Sequence, residues 1–192
     1  MEENLTEEAL LVRYQTGDRR AFALLFARLA PQVHGFFMRS FGNSAVADDL
    51  LQTTFLNLHR ARQSYRPSER VRPWVFAIAA NVRLDELRRR YRLPAAASSE
   101  EVDRAIERES FNHQSPDLLE AAERAQQVRA ALARLPESQR VVIELNRFEG
   151  LSFAEVARAL GITEGAAKLR AFRGYELLRV SLVELGAPEG LA

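Results

Sequence analysis

The stretch GLSFAEVARALGITEGAAKLRAFRGYELLR, residues 150–179, decides the fold, because it has the spacing of two helices joined by a tight turn. Gly161 stands at the turn, where a residue without a side chain tolerates positive φ, and Thr163 can cap the helix that follows. Ala157, four residues before Gly161, is small enough for two helices to cross closely. The spacing predicts a helix-turn-helix, although two core helices joined by a glycine turn are an equally good interpretation of this stretch alone.

The second helix of this stretch is poor in the polar side chains that usually read DNA bases. Its exposed face is expected to carry Lys168, Leu169, Phe172 and Arg173. Two cations and an exposed aromatic ring favour DNA contact, and Leu169 can touch a thymine methyl group although it cannot hydrogen-bond to a base edge. The buried stripe of the helix is expected to continue through Leu177, Leu178 and Leu182.

Further upstream, the stretch RPWVFAIAANVRLDELRRR, residues 72–90, predicts a helix with an apolar stripe and a basic end. Its tryptophan, Trp74, follows a loop that contains Tyr65, Arg66 and Arg70. Aromatic rings and arginines around a loop suit single-stranded DNA, because bases stack on the rings while cations hold the phosphates. The alternative is that Trp74 is a core residue, and we expect it to be at least partly buried.

A third stretch, ADDLLQTTFLNLH at residues 47–59, places acidic and amide groups beside apolar ones along consecutive helical turns. These positions are Asp48, Gln52, Phe55 and Leu56. Such a face suits a partner helix, but a solvated face fits the spacing equally well.

The composition favours helices, because 47% of the 192 residues are hydrophobic while glycine and proline are sparse. The net charge of +1 is too small for a protein that coats nucleic acid by charge alone, so basic segments indicate local contact with a polyanion. The chain has no cysteine, which excludes disulfides and thiolate chemistry, and its histidines lack metal-ligand spacing. We therefore predict no catalytic residue, no metal and no cofactor.

The N-terminus, MEENLTEEALL, is acidic and lacks the basic start of a signal peptide. No apolar run approaches the roughly 20 residues that a membrane span needs. We expect a cytoplasmic protein without direct membrane insertion.

Helical periodicity on both sides of a polar stretch predicts an all-α fold of two small helical domains joined by a flexible polar linker. The first domain is expected at residues 1–92 and the linker at 93–115. The second domain is expected at residues 116–186, followed by a short tail at 187–192.

Together, these stretches resemble the extracytoplasmic-function (ECF) sigma factors, a group of the sigma-70 family. Residues 45–90 look like sigma domain 2, and residues 135–179 look like sigma domain 4 with its helix-turn-helix. The order, the linker and the total length also match, so the resemblance covers most of the chain. It implies a protein that binds core RNA polymerase, recognises the minus-ten and minus-thirty-five promoter elements and promotes transcription initiation, and that is not an enzyme.

The resemblance also implies roles for individual residues. The segment that docks on the polymerase clamp helices contains Asp48, Asp49, Leu51, Gln52 and Phe55. The minus-ten element, including a pocket for a flipped base, is contacted by Tyr65, Asn81, Arg88 and Arg89. The minus-thirty-five element is read in the major groove by Lys168, Leu169, Phe172 and Arg173.

Further partners follow from the same resemblance. Domain 4 would also hold the polymerase flap, and an anti-sigma factor, often membrane-bound in this family, would cover the polymerase-binding faces. The alternative functions are a stand-alone helix-turn-helix regulator, which would bind duplex DNA tightly without polymerase, and an enzyme, against which the scattered histidines and the lack of a glycine-rich phosphate loop argue.

Overall fold

The computed structural model describes residues 5–109, 127–128 and 130–184. Its helices are α1 (Glu7–Gln15), α2 (Arg19–Phe41), α3 (Ser44–Ala61), α4 (Val71–Arg90), α5 (Ser99–Glu109), α6 (Glu137–Ile143), α7 (Phe153–Leu160) and α8 (Glu164–Glu184). A 3₁₀ turn follows α3 at Arg62–Ser64, and α6 continues into a π-helical turn at Glu144–Phe148. The described residues contain no strand, so the all-α prediction is confirmed. The tail at 187–192 and the linker end at 110–115 lie outside the described residues.

Side-chain caps begin several of these helices, as the sequence predicts. The backbone N–H of Ala9 donates to Thr6 Oγ1 at 3.2 Å at the start of α1. Asp18 Oδ1 accepts from the N–H groups of Arg20 and Ala21 at the start of α2. At the start of α8, the N–H of Ala166 donates to Thr163 Oγ1 at 3.1 Å. These bonds satisfy backbone donors that the first turn of a helix leaves without a partner.

Two compact units form within the chain, residues 1–83 with 154–162, and residues 84–153 with 163–192. In the first unit, α2 packs against both α1 and α3. Its fully buried core includes Leu10, Leu25, Leu29, Val33, Phe36 and Phe76. The predicted domain boundaries at 92 and 116 stay predictions.

Helix α2 is long and apolar enough, by length and composition, to cross a membrane. The expectation that no apolar run approaches that length is therefore wrong by this criterion. Pro31 lies inside the helix, yet the helix runs unbroken from Arg19 to Phe41. Its inward residues, such as Leu25 and Val33, are buried in the first unit, and the core helix of a soluble protein meets the same criterion.

The acidic start of α1 holds the start of α4. Glu8 Oε1 accepts a hydrogen bond at 3.2 Å from the backbone N–H of Val71, the first residue of α4. The carboxylate of Glu7 accepts hydrogen bonds from Nε and Nη2 of Arg72 at 2.8–3.2 Å, so the two side chains form a bidentate ion pair. A carboxylate is favourable at the positive end of a helix dipole, so Glu8 serves α4 as a cap supplied by another helix.

In the second unit, α6 packs against α5 and α8. The core cluster contains Leu132, Leu135 and Ile143, with Val128 and Leu178 packed against it. Leu182 is also buried, as predicted, but Leu177 is 45% exposed. The prediction for Leu177 is wrong, because a step of about 100° per residue turns its side chain away from the face that carries Leu178 and Leu182.

The predicted linker contains the helix α5, and that helix is anchored. Val102 is fully buried. Asp103 accepts hydrogen bonds from the backbone N–H of Ser138 at 3.1 Å and from its hydroxyl at 2.6 Å. Helix α6 has Pro136 at its own capping position, without a side-chain cap. Asp103 therefore supplies the cap that the local sequence of α6 lacks.

Gly174 lies where α8 passes close to α6. A Cβ atom added at this position would stand 2.6 Å from Ile143 Cδ1 and 3.3 Å from Gln139 Cβ. Ile143 is 1% exposed, so its side chain has little room to move away. We expect Gly174→Ala to lower the free energy of unfolding by about 1–2 kcal/mol, since overpacking outweighs the helix propensity gained.

The matched control for this prediction is Gly165→Ala on the same helix, where an added Cβ meets no atom within 4 Å. Its free energy of unfolding should be unchanged or raised by up to about 1 kcal/mol. Urea unfolding of both variants measures the difference. Equal stabilities would show that α6 and α8 do not need a glycine at their closest approach.

Candidate functional site

An open apolar groove of about 340 Å³ lies on the first unit, between residues of α1, α2 and α3. It is lined by Tyr14, Phe22, Phe26, Asp48, Leu51, Gln52, Phe55, Leu56 and His59. We call it the α3 groove. Four of the five residues predicted to dock on the polymerase line it: Asp48, Leu51, Gln52 and Phe55. The fifth, Asp49, is exposed and does not line the groove.

The groove has an aromatic floor and an apolar rim. The rings of Phe26 and Phe55 meet edge to face, with their centroids 4.7 Å apart. Phe55 is only 5% exposed, whereas Leu56 is 49% exposed and Phe26 38% exposed. Phe55 therefore belongs to the base of the groove, while Leu56 and Phe26 offer apolar surface to a partner.

Helix α2 contributes to this apolar surface through Phe22 and Phe26, and the sequence analysis missed both residues. The spacing within α3 predicts which of its residues share a face, because positions three and four apart are neighbours on a helix. It does not predict which other helix lies beside that face. The aromatic residues that recur at helical spacing in α2 could have indicated that this helix shares the apolar surface.

Polar groups border the α3 groove near Asp48 and near His59. Asp48 Oδ1 lies 3.3 Å from His34 Nε2, and the Asp48 side chain is 63% exposed. The hydroxyl of Tyr14 hydrogen-bonds to His59 Nδ1. An apolar floor with an exposed carboxylate at its edge suits a partner helix that carries apolar residues and a basic group.

Tyr65, predicted to contact the minus-ten element, is only 3% exposed. Its ring packs on Trp74 with a centroid distance of 5.3 Å, and its hydroxyl donates to the carbonyl oxygen of Glu69. Burial, followed by the nearby charges of Glu8 and Glu69, raises the pKa of Tyr65 to about 12. The structure thus places Tyr65 under Trp74, which is half-buried as expected.

Along α4, the other predicted minus-ten residues differ in exposure. Asn81 is exposed, and the Arg89 side chain is 75% exposed. The Arg88 side chain is only 18% exposed. Its guanidinium donates to the carbonyl oxygen of Ala97 and to Asp85 Oδ1, both at 2.8 Å.

Glu86 organises the basic end of α4. Its carboxylate accepts from Arg89 Nε and Nη2 at 2.8 and 2.9 Å and from Arg90 Nε at 2.7 Å. The hydrogen bond with Arg89 lowers the pKa of Glu86, and the bond with Arg90 and the charges of both arginines add to this against the opposing effect of burial. The sequence analysis missed Glu86, although its spacing of three and four residues from these arginines is a usable signal.

The lowered pKa of Glu86 predicts a pH dependence of stability. Its pKa in the folded state lies below the ordinary 4.5, so its contribution is present above pH 4.5 and is lost as the pH falls through the folded value. We expect Glu86→Gln to be less stable than the wild type by about 1 kcal/mol at pH 7, since the pairs are partly open to solvent.

Urea unfolding at pH 7 and at pH 3 would measure this difference. The difference in the free energy of unfolding between Glu86→Gln and the wild type should be smaller at pH 3 than at pH 7. A gap that stays constant would mean that the carboxylate charge does not stabilise the end of α4. Asp85→Asn is a suitable control, since the Asp85 side chain is 69% exposed and its ion pair is with Arg88, not with Arg89 or Arg90.

The predicted reading face of α8 is open to solvent. Phe172 is 64% exposed and Leu169 is 49% exposed, as expected, and Arg173 is exposed as well. Lys168 Nζ lies 2.7 Å from Glu164 Oε1, one turn earlier on the same helix. The face can therefore offer apolar and aromatic contacts together with a cation at Arg173.

Within the described residues, no group of three or more histidine, cysteine, aspartate or glutamate side chains could hold a metal ion. The α3 groove and the reading face of α8 suit binding of macromolecules, because both offer exposed apolar side chains beside charged ones.

Comparisons with known proteins match both halves of the chain. Residues 25–93 match the family Sigma-70 region 2, and residues 125–178 match the family Sigma-70, region 4.

Individual proteins match over nearly the whole chain. The RNA polymerase sigma factor CarQ of Myxococcus xanthus is 43% identical over 173 residues, which cover 90% of this chain and 95% of that protein. The ECF RNA polymerase sigma factor SigM of Mycobacterium tuberculosis is 35% identical over 168 residues, covering 88% of this chain and 80% of SigM. Among solved structures, CnrH in complex with the cytosolic domain of CnrY gives a TM-score of 0.67 at 25% identity, covering 93% and 97% of the two chains.

Proposed function

Because the chain belongs to the ECF group of RNA polymerase sigma factors, we propose that its surfaces divide polymerase binding and promoter recognition between them. The chain binds core RNA polymerase, recognises the promoter elements and promotes transcription initiation. It acts as a transcription initiation factor. It has no catalytic activity of its own and works in the cytoplasm.

The α3 groove is the docking surface for the polymerase clamp helices. The observation that carries this assignment is that one open apolar groove is lined by four of the five residues that the family resemblance assigns to docking: Asp48, Leu51, Gln52 and Phe55. Leu56 and Phe26 extend the docking surface, because both present exposed apolar side chains at its rim. Asp49 lies outside the groove, and it would contact the clamp only from the exposed side of α3.

Contact with the minus-ten element is assigned to the loop before α4 and to α4 itself. Asn81 and Arg89 are exposed and can meet a base and a phosphate directly. Tyr65 is buried and packs on Trp74, so we assign Tyr65 the role of positioning the Trp74 ring. Direct contact of Tyr65 with a flipped base would require the loop to rearrange.

The minus-thirty-five element is read by Lys168, Leu169, Phe172 and Arg173. The exposure of Leu169 and Phe172 supports reading by apolar contact, which a thymine methyl group can satisfy. Arg173 and Lys168 would hold the DNA backbone. The chain needs little autonomous affinity for DNA, because the polymerase supplies further contacts, and this fits the net charge of +1.

We include an anti-sigma factor among the partners. Support comes from CnrH, which was solved in complex with the cytosolic domain of CnrY. Such a partner would cover the polymerase-binding face.

The domain boundaries at 92 and 116 also remain part of the proposal.

Mixing the purified chain with core RNA polymerase tests the proposal. We expect a stable complex and promoter-dependent run-off transcripts, and sequencing of their start sites would identify the promoter. If neither the complex nor the transcripts form, the proposal is wrong. Tight, specific duplex binding without polymerase in a mobility-shift assay would instead favour the stand-alone regulator.

A further inference from the structure

We propose that the linker helix α5 competes with promoter DNA for the reading helix, because its Glu100 occupies the guanidinium of Arg170 on α8. This inference rests on the proposed function, since it takes α8 to be the helix that meets the minus-thirty-five element. The consequence is an acidic segment that holds back DNA binding by the free chain and gives way when the promoter engages.

The contact itself joins the linker to the reading helix. Arg170 Nη2 donates to Glu100 Oε1, and the two side chains are 22% and 53% exposed. Burial alone would raise the pKa of Glu100, but a hydrogen bond from its own backbone N–H and the charge of Arg170 lower it. Glu100 is therefore an ionised partner for Arg170 across the neutral pH range.

Helix α5 is anchored by other contacts, so the position of Glu100 does not depend on its ion pair with Arg170 alone. Val102 is fully buried, and Asp103 binds both the backbone N–H and the hydroxyl of Ser138. At the other end, Ser98 and Glu101 cap the helix reciprocally, with hydrogen bonds at 3.2 and 2.6 Å. These contacts fix α5 on α6 and order its acidic first turn, from which Glu100 reaches Arg170.

Arg170 stands at the edge of the reading face. It follows Leu169 directly and lies three residues before Arg173, both of which are exposed. Ala171, the next residue, is buried. A guanidinium on this flank can turn to a phosphate of a duplex that lies on the face. Carboxylate and phosphate bind the same fork of N–H donors, so Glu100 and DNA compete for one group.

The start of the linker occupies a second cation with a predicted DNA contact. The carbonyl oxygen of Ala97 accepts from the Arg88 guanidinium, which is only 18% exposed. The linker thus engages one arginine from the predicted minus-ten segment and another from the reading helix. Because the Glu100 side chain is 53% exposed, its ion pair with Arg170 can be exchanged for phosphate at small cost.

The test uses the full-length chain and a labelled duplex that carries the promoter mapped by run-off transcription. We expect Glu100→Gln to bind this duplex about two- to fivefold more tightly than the wild type. The salt dependence of binding should become steeper by up to about one phosphate contact, because Arg170 is released.

Glu107→Gln is the matched control, since Glu107 is an exposed glutamate on the same helix and its loss changes the net charge equally. It should leave the salt slope unchanged. A second variant, Arg170→Gln, allows a double-mutant cycle. In the Arg170→Gln background, Glu100→Gln should not increase the affinity for the duplex further. Thermal unfolding checks that all variants remain folded.

Two results would overturn the inference: equal effects of Glu100→Gln and Glu107→Gln, or a gain from Glu100→Gln that persists in the Arg170→Gln background. Either result leaves the proposed function intact, provided that the wild-type chain with core polymerase still initiates at the mapped promoter. If wild-type initiation itself fails, the proposed function fails first.

Discussion

Leu56→Asp is expected to weaken binding of the chain to core RNA polymerase at least about tenfold, which corresponds to about 1.4 kcal/mol. Leu56 is 49% exposed at the rim of the α3 groove, so the folded chain tolerates the change. In the complex, the new carboxylate would be buried against an apolar surface without a partner, and that burial is costly. Titration of labelled core polymerase with the variant measures the loss of affinity.

Thr53→Asp is the control for this prediction. Thr53 lies on the same helix, is exposed and does not line the groove, and its hydroxyl donates to the backbone carbonyl of Asp49 at 2.8 Å. The control introduces the same charge three residues away. Equal affinities of Leu56→Asp and Thr53→Asp for polymerase would remove the α3 groove as the docking surface.

The double substitution Phe172→Ala with Arg173→Ala is expected to reduce promoter-dependent transcription at least about tenfold and to leave polymerase binding unchanged. Phe172 is 64% exposed, and Arg173 is exposed beside it, so neither residue stabilises the fold by burial. Their loss removes an apolar base contact, and losing the match at one base pair costs about 1–3 kcal/mol. It also removes a cation that holds the DNA backbone. Run-off transcription and polymerase titration together separate the two effects.

A matched double variant, Arg179→Ala with Val180→Ala, removes the same kinds of side chain further along α8. Val180 is 55% exposed and the Arg179 side chain is 59% exposed. This variant should transcribe at close to the wild-type level. Loss of polymerase binding by the Phe172 and Arg173 variant would show instead that this face of α8 meets the polymerase.

Local features of the fold could be predicted well because their causes are local. Thr6, Asp18 and Thr163 cap helices whose first turns lie within three residues of them. Gly161 adopts a φ of 66° at the turn before α8, a conformation that the backbone accepts readily only at glycine. The exposure of Leu169 and Phe172 followed from the helical period.

Features that depend on a second element could not be predicted in this way. The burial of Tyr65 depends on Trp74, and the α3 groove depends on Phe22 and Phe26 of α2. Val102, Ala105 and Ile106 follow helical spacing within the predicted linker, but the contact that anchors α5, from Asp103 to Ser138, lies on α6. In each case the deciding contact lies on another element, where spacing within one helix carries no information.

The hydrogen bonds between Asp103 and Ser138 bear on how this chain could be recombined with its relatives. A chimera joined within residues 110–116 would pair one protein's α6 with another protein's capping carboxylate, or with none. A junction before Ser98 would move the cap together with the helix that it serves. The unit of exchange for engineered promoter specificity is thus longer than the helix-turn-helix and includes a segment that looks, in the sequence, like a tether.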